Sequence, residues 1–187
     1  MQPEDAANGR KEGSRKCGTH VVALVSVVPS SRREHYVGID DVAAGRTAGS
    51  LMGRFLGMRP GKVGVIGGSQ SLRDHAERIL GFLQVMSFQY PNFKVLSPVG
   101  GRDQDDMSEA LMARLLAEHS DLAGVYNFGA GAPGVARTIA LAGREASVVF
   151  FGHELADFSR RGLVRGVMDA IIAQDPAARR ARRSGFC

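Results

Sequence analysis

The sequence predicts an α/β fold with a doubly wound, mostly parallel sheet, and two observations predict it. Apolar runs of strand length alternate along the chain with amphipathic stretches of helix length, and most of the runs are apolar without interruption. Parallel strands covered by helices on both faces have this pattern, whereas a half-exposed antiparallel strand alternates apolar with polar residues. Strand and helix repeated in this order imply right-handed βαβ crossovers.

The expected strands are residues 20–26 (HVVALVS), 62–66 (KVGVI), 94–98 (KVLSP), 122–128 (LAGVYNF) and 147–151 (SVVFF). Helices are expected over residues 43–56, 72–87, 106–118 and 133–142. The last opens with Pro133 in its first turn and ends at Gly143, a favoured start and stop.

A chain of 187 residues holds one good-sized domain, or one complete lobe and part of a second. It contains no apolar run of membrane-spanning length and no charged, apolar and small-residue succession of a secretory signal at its start, so a cytoplasmic protein without membrane contact is expected. Cys17 and Cys187 lie near the two ends, outside any metal-ligand or CxxC spacing, and read as free thiols. Residues 1–16 (MQPEDAANGRKEGSRK) are polar and without periodicity, which reads as a disordered leader with no room for a helix-turn-helix.

The formal net charge is +5, and residues 160–187 carry an excess of that size: seven Arg (160, 161, 165, 179, 180, 182 and 183) against Asp169 and Asp175. Such a segment is either a non-specific phosphate-binding tail or a solvated helix face separated from its acidic partners. The absence of aromatic residues among the tail arginines favours the solvated face, because nothing there stacks on bases.

Gly129, Gly131 and Gly134 satisfy the GxGxxG pattern between an expected strand and an expected helix, with Glu154 following 20 positions later. That is the context of a dinucleotide fingerprint, in which glycines admit a pyrophosphate and the acid holds ribose hydroxyls. Against it, the motif follows several βα units instead of the first, and Pro133 stiffens the turn. No nucleophile-elbow serine accompanies His75 or His153, and Asp40, Asp41, Glu154 and these histidines lack metal-motif spacing, so neither an enzyme nor a metal or other cofactor is expected.

The stretch from Tyr36 to Phe82 joins a strand, a crossing helix, a second strand and a Gly-rich turn: YVGIDD, AGRTAG, KVGVIGG and AERILGF. With DLAGVYNFGAG, SVVFFGHE and MDAIIAQDP further on, the order resembles the effector-binding core of the lac repressor (LacI) family and its relatives, the type 1 periplasmic sugar-binding proteins, over residues 19–176. The resemblance implies a sheet of that kind with one lobe nearly complete and the other partial. It divides the chain into the leader (1–16), a first-lobe remnant (17–42), the second lobe (43–176) and a basic tail (177–187). It implies a truncated transcription regulator without its own DNA-reading domain, hence no sequence-specific DNA binding by this chain alone. A sugar or similar small polyhydroxylated ligand and a possible homodimer complete the partners. Residues 20–26, cut off from earlier strands, would dock alone, pair with another copy or leave an unpaired edge.

Site residues also follow from the resemblance. Gln174 stands where relatives bond a sugar hydroxyl through a polar side chain, and Glu154 where they carry an Asp, one methylene shorter. Asp40 and Asp41 occupy the VGID turn at the cleft rim. Other positions depart: Val27 replaces a common Asp, Ala76 stands at the sugar-clamping Arg with Arg73, His75 and Arg78 nearby as substitutes, and Gly129 replaces an Asn, which leaves Asn127 as the nearest amide. Phe128, Phe151 and Phe158 are the candidates for a stacking platform, since Trp is absent. The alternative roles are ordinary ones: Glu154 capping a helix, Gln174 bonding a loop carbonyl, and Arg78 pairing with Glu77 on a helix surface.

Overall fold

The chain visits the strands of its main sheet out of spatial order, and that order locates the site. The computed structural model describes residues 22–24, 35–58, 60–69 and 72–173. Its main sheet comprises β3 (Gly61–Gly67), β4 (Phe93–Val95), β5 (Val99–Gly100), β6 (Leu122–Asn127), β7 (Val149–His153) and β8 (Ala170–Ile172). They lie in the order β4-β3-β6-β7-β8, with β5 also on β3, and every pairing is parallel. From β3 the chain moves outward one way to β4 and β5, then crosses back to β6, β7 and β8, so the direction reverses between β3 and β6. Five helices connect the strands: α1 (Asp41–Leu56), α2 (Arg73–Gln89), α3 (Asp105–Glu118), α4 (Ala132–Leu141) and α5 (Asp157–Val164).

Two apolar layers cover the sheet. Val63, Val65, Tyr126 and Phe151 bury themselves with Ala48 and Met52 of α1 and Ile79, Phe82 and Met86 of α2. Ile66, Val125 and Phe150 pack with Met112 and Leu115 of α3 and Val135 and Ile139 of α4. Neighbours such as Val125 and Tyr126, or Phe150 and Phe151, therefore serve opposite layers, as the two-residue period of a strand requires. Both are apolar, which is why these strands read as unbroken apolar runs.

Helices α1 and α2 approach with their backbones nearly touching. A Cβ on Gly45 would overlap the Arg78 carbonyl oxygen, and one on Gly81 the Val42 carbonyl oxygen, so each helix admits the other only where it lacks a side chain. Arg46 fixes the pair from outside by donating from Nε and from a terminal nitrogen to Gln84 Oε1, at 3.0 and 2.8 Å.

The expected elements are present with shifted limits, and each shift has a local cause. Helix α1 begins at Asp41, two residues earlier than expected, because Asp40 caps it: Oδ1 accepts the Ala43 N–H at 2.9 Å. The strand expected over residues 94–98 is two short strands, β4 and β5, around Pro98, which has no N–H to donate to β3. Helix α5 and strand β8 were not expected; they have only 8 and 3 residues, too few to show a period. Within the strand expected over residues 20–26, β1 (Val22–Leu24) pairs in parallel with β2 (His35–Val37) in a small second sheet, so it does not dock alone, and its other edge has no partner strand among the described residues. The polar leader, Val27, both cysteines and the basic tail beyond residue 173 lie outside the described residues.

One polar pair interrupts the α1–α2 layer. Tyr126 stacks on Phe82 with ring centroids 4.4 Å apart, and its hydroxyl lies 2.6 Å from His153 Nε2. Burial raises the Tyr126 pKa and pushes His153 down to about 3, so the phenol stays protonated and the imidazole neutral. The phenol oxygen and Nε2 therefore share one hydrogen bond between two neutral groups.

Two predictions follow from this packing. Gly81→Ala should destabilise the protein by about 1–3 kcal/mol through overpacking of α1 against α2, read as a lower midpoint in urea unfolding. The second concerns pH. The unfolded chain protonates His153 near its ordinary value of about 6.5, while the folded state resists until about 3, so stability falls as pH drops. Burial raises the Asp41 and Asp169 carboxyls, which favours the folded state as pH falls through the carboxylate range and opposes the histidine there. Between pH 6.5 and 5 the histidine's share of the loss should reach up to about 2 kcal/mol, and His153→Gln should abolish that share. An unchanged slope in that variant would assign the loss to other groups.

Candidate functional site

A cleft of about 440 Å³ opens at the carboxyl ends of the strands, where the loops after β6 and β7 meet the first turns of α2 and α3. It lies beside the reversal between β3 and β6. Open α/β sheets form crevices at such points because the flanking crossovers leave in opposite directions.

Arg78 sets the wall that α2 contributes. The residue is 3% exposed; its Nε donates to Asp41 Oδ1 at 2.9 Å and a terminal nitrogen donates to the Phe128 carbonyl at 2.9 Å. Asp74 Oδ2 lies 4.0 Å from the same guanidinium. One side chain thus ties the start of α1, the first turns of α2 and the loop after β6. Burial raises the Asp41 carboxyl, and the Arg78 guanidinium beside it offsets part of that rise. Next to it, His75 Nδ1 donates to the Ser69 carbonyl at 3.0 Å, so its Nε2 is the nitrogen left for the cleft side.

The opposite wall is the Gly-rich loop. Asp103, in a left-handed backbone conformation at φ 58°, accepts the Ala130 N–H on Oδ1 at 2.9 Å. A Cβ at Gly129 would come within 2.8 Å of the same carboxylate oxygen and 2.7 Å of the Gly68 nitrogen, so only glycine lets these loops converge. Gly131 adopts φ 86° as it enters α4, and a Cβ on Gly134 would overlap the Asp105 carbonyl oxygen. All three glycines of the GxGxxG pattern are therefore required by contacts within the protein. The Ala130 amide is occupied and Asp103 adds negative charge, the opposite of a pyrophosphate cradle.

The loop after β7 completes the cleft. His153 is 5% exposed and borders it, and its Nδ1 has no hydrogen-bond partner among the described residues. Glu154 adopts φ 69°, uncommon for any residue but glycine, held by its N–H to the Ile172 carbonyl at 3.2 Å and by its carbonyl accepting Ser159 Oγ at 2.8 Å. Phe158 is half-buried in the same wall.

The structure brings His75, Gly129 and Glu154 together around the cleft. Asp40 caps α1 and Asp41 is buried against Arg78; neither lines the cleft. Arg73 pairs with Glu77 at 2.6 Å on the exposed face of α2, also away from it. This corrects the surface pairing of Arg78 with Glu77, which belongs to Arg73; Arg78 turns inward. Asn127 is fully buried, with Nδ2 donating to the Ala130 carbonyl at 3.3 Å, and braces the loop from behind. Gln174 lies outside the described residues. Of the three stacking candidates, Phe128 and Phe151 are core residues and Phe158 alone lines the cleft. Sequence reasoning missed the places of Asp74, Asp103, Asp105 and His153 at the cleft. The GGRD turn that ends at Asp103 was the available signal, since Gly and Asp together mark a turn with left-handed residues.

This architecture has known counterparts. A search of curated proteins finds no match. Among solved structures, the chain is similar to the glucose-galactose binding protein of Geobacillus stearothermophilus, with 22% identity and a TM-score of 0.80 over 88% of this chain and 59% of that one. It is also similar to an ABC transporter solute-binding protein of Burkholderia graminis in complex with D-arabinose, with 23% identity and a TM-score of 0.81 over 88% and 58%. An arabinose-binding protein of Geobacillus stearothermophilus gives 24% identity and a TM-score of 0.75 over 86% and 55%. The chain thus spans less than two thirds of the length of each. The family model described as "Periplasmic binding protein domain" matches residues 14–180. With that match over most of its length, the chain belongs to the periplasmic binding protein domain family.

Proposed function

We propose that this chain is the effector-binding part of a sugar-responsive transcription regulator of the lac repressor type, acting in the cytoplasm by binding a small polyhydroxylated ligand without chemical turnover. In this reading residues 43–176 are the second lobe and residues 17–42 belong to the first. The observation that carries the binding role is the cleft itself, which Asp74, His75, Asp103 and Glu154 line together with the half-buried Phe158. Carboxylates accept hydrogen bonds from adjacent hydroxyls, and an aromatic face covers the apolar face of a sugar ring. The named ligands of the structurally similar proteins, glucose, galactose and arabinose, have this chemistry. The regulator role rests on the order of the VGID, AGR, KVGVIGG and IAQDP motifs, and it requires two conformations with different ligand affinity.

A sugar panel read by thermal shift and then calorimetry tests the binding role. Glu154→Ala and Gln174→Ala should each weaken the best ligand by about 1–3 kcal/mol, the cost of leaving its hydroxyls unpaired. Arg73→Ala should leave affinity unchanged, because Arg73 is engaged with Glu77 outside the cleft. Unaltered affinity in both of the first two variants would place the site elsewhere.

A further inference from the structure

A groove of about 270 Å³ runs between α4 and α5 and adjoins the cleft at Pro133 and Phe158. It is lined at positions 133, 136, 137 and 140 along α4, and at 158, 161, 162 and 165 along α5 and its C-cap. Both sets have the spacing of one helix face, so the groove is the seam between two helical stripes. Small residues, Ala136, Ala140 and Gly162, keep its middle open, and Phe158 and Val167 add apolar surface.

The charge beside this apolar seam has one sign. Arg137 is paired with Glu109 at 2.7 Å, but Arg161 and Arg165 are exposed and make no ion pair among the described residues. They stand four positions apart, so both guanidinium groups border the groove on the same side. Helices α4 and α5 each follow a strand of one parallel sheet, and both therefore end on the side away from the cleft. There each presents an exposed apolar side chain, Leu141 on α4 and Val164 on α5.

We propose that this groove docks an acidic amphipathic helix of a partner protein, with apolar side chains against Ala136, Ala140 and Val167 and carboxylates four positions apart on Arg161 and Arg165. The proposal is independent of what the cleft binds. A helix fits because the 10 residues of α4 give the groove a length of about 15 Å, which anchors on three successive turns of a helix would span. Exposed ion pairs contribute little affinity by themselves, so the apolar seam supplies the attachment and the arginines select an acidic partner over a neutral or basic one.

Fluorescence anisotropy tests it, with the full chain and three labelled synthetic helical peptides that share a leucine face and carry Glu, Gln or Lys along its flank. At low salt the Glu peptide should bind about tenfold more tightly than the Gln peptide, the Lys peptide should bind most weakly, and salt should narrow the gap. Arg161→Ser combined with Arg165→Ser should remove the preference for Glu over Gln. Ala140→Glu, which sets a carboxylate in the groove, should weaken the Glu peptide about tenfold. Arg160→Ser should change nothing, since Arg160 is exposed on the same helix but does not line the groove. Thermal melts establish that each variant is folded, and the arginine variants serve if Ala140→Glu is not. Failure of the Glu peptide to bind, or equal binding of the Gln peptide, would overturn the proposal. An equal loss in Arg160→Ser would also overturn it, because the preference would then belong to the basic surface at large. Self-association in sedimentation that Ala140→Glu abolishes would make a second copy the occupant and overturn it as well.

Discussion

The buried ion pair of Asp41 and Arg78 is the interaction on which the arrangement of the cleft depends. It sits where three otherwise independent pieces meet: the start of α1, the second turn of α2 and the loop leaving β6. Taking two charges out of water is costly, and their attraction offsets the cost only with good geometry and further hydrogen bonds. Both conditions are met, at 2.9 Å and with the Phe128 carbonyl as a further acceptor. The same guanidinium that anchors the helices therefore holds the backbone from which Gly129 and Ala130 proceed to meet Asp103. The close contacts at Gly45 and Gly81 follow from this geometry, because helices drawn this near to one another have no room for a Cβ at the crossing.

The sequence carried the fold at the level of long elements and lost it at short ones. Unbroken apolar runs such as SVVFF are unambiguous because both faces of a parallel strand are buried, and Phe150 and Phe151 do serve opposite layers. Three-residue strands and an eight-residue helix leave too few side chains for any period, so β8 and α5 were not legible. The site was legible only where a residue type is tied to a backbone position. Gly129 and Glu154 belong to recognisable turns and are found at the cleft. Arg73 and Arg78 lie five positions apart on one helix, and which of them turns inward depends on the position of Asp41, 37 residues before Arg78, which no local pattern reveals. Asp40 and Asp41 show the same limit: adjacent acids at a helix start divide into an exposed cap and a buried counter-ion.

The strand order explains why the cleft is where it is, and the side chains decide what it can hold. The glycines of the loop after β6 resemble a phosphate-binding turn by sequence, yet Asp103 fills the space and takes the amide that a phosphate would need. The acidic residues around the cleft, Asp74, Asp103, Asp105 and Glu154, disfavour an anion there.

A double-mutant cycle on Asp41 and Arg78 is the most direct test of the claim that this ion pair organises the site. Asp41→Asn, Arg78→Met and the combined variant would be compared by urea unfolding. Each single substitution should cost about 3–5 kcal/mol, because it leaves the other group buried without its partner, while the combined variant should cost less than the two together by about 2–3 kcal/mol. Strictly additive effects would show that the two charges do not depend on each other, and the account of how the cleft is held would be wrong.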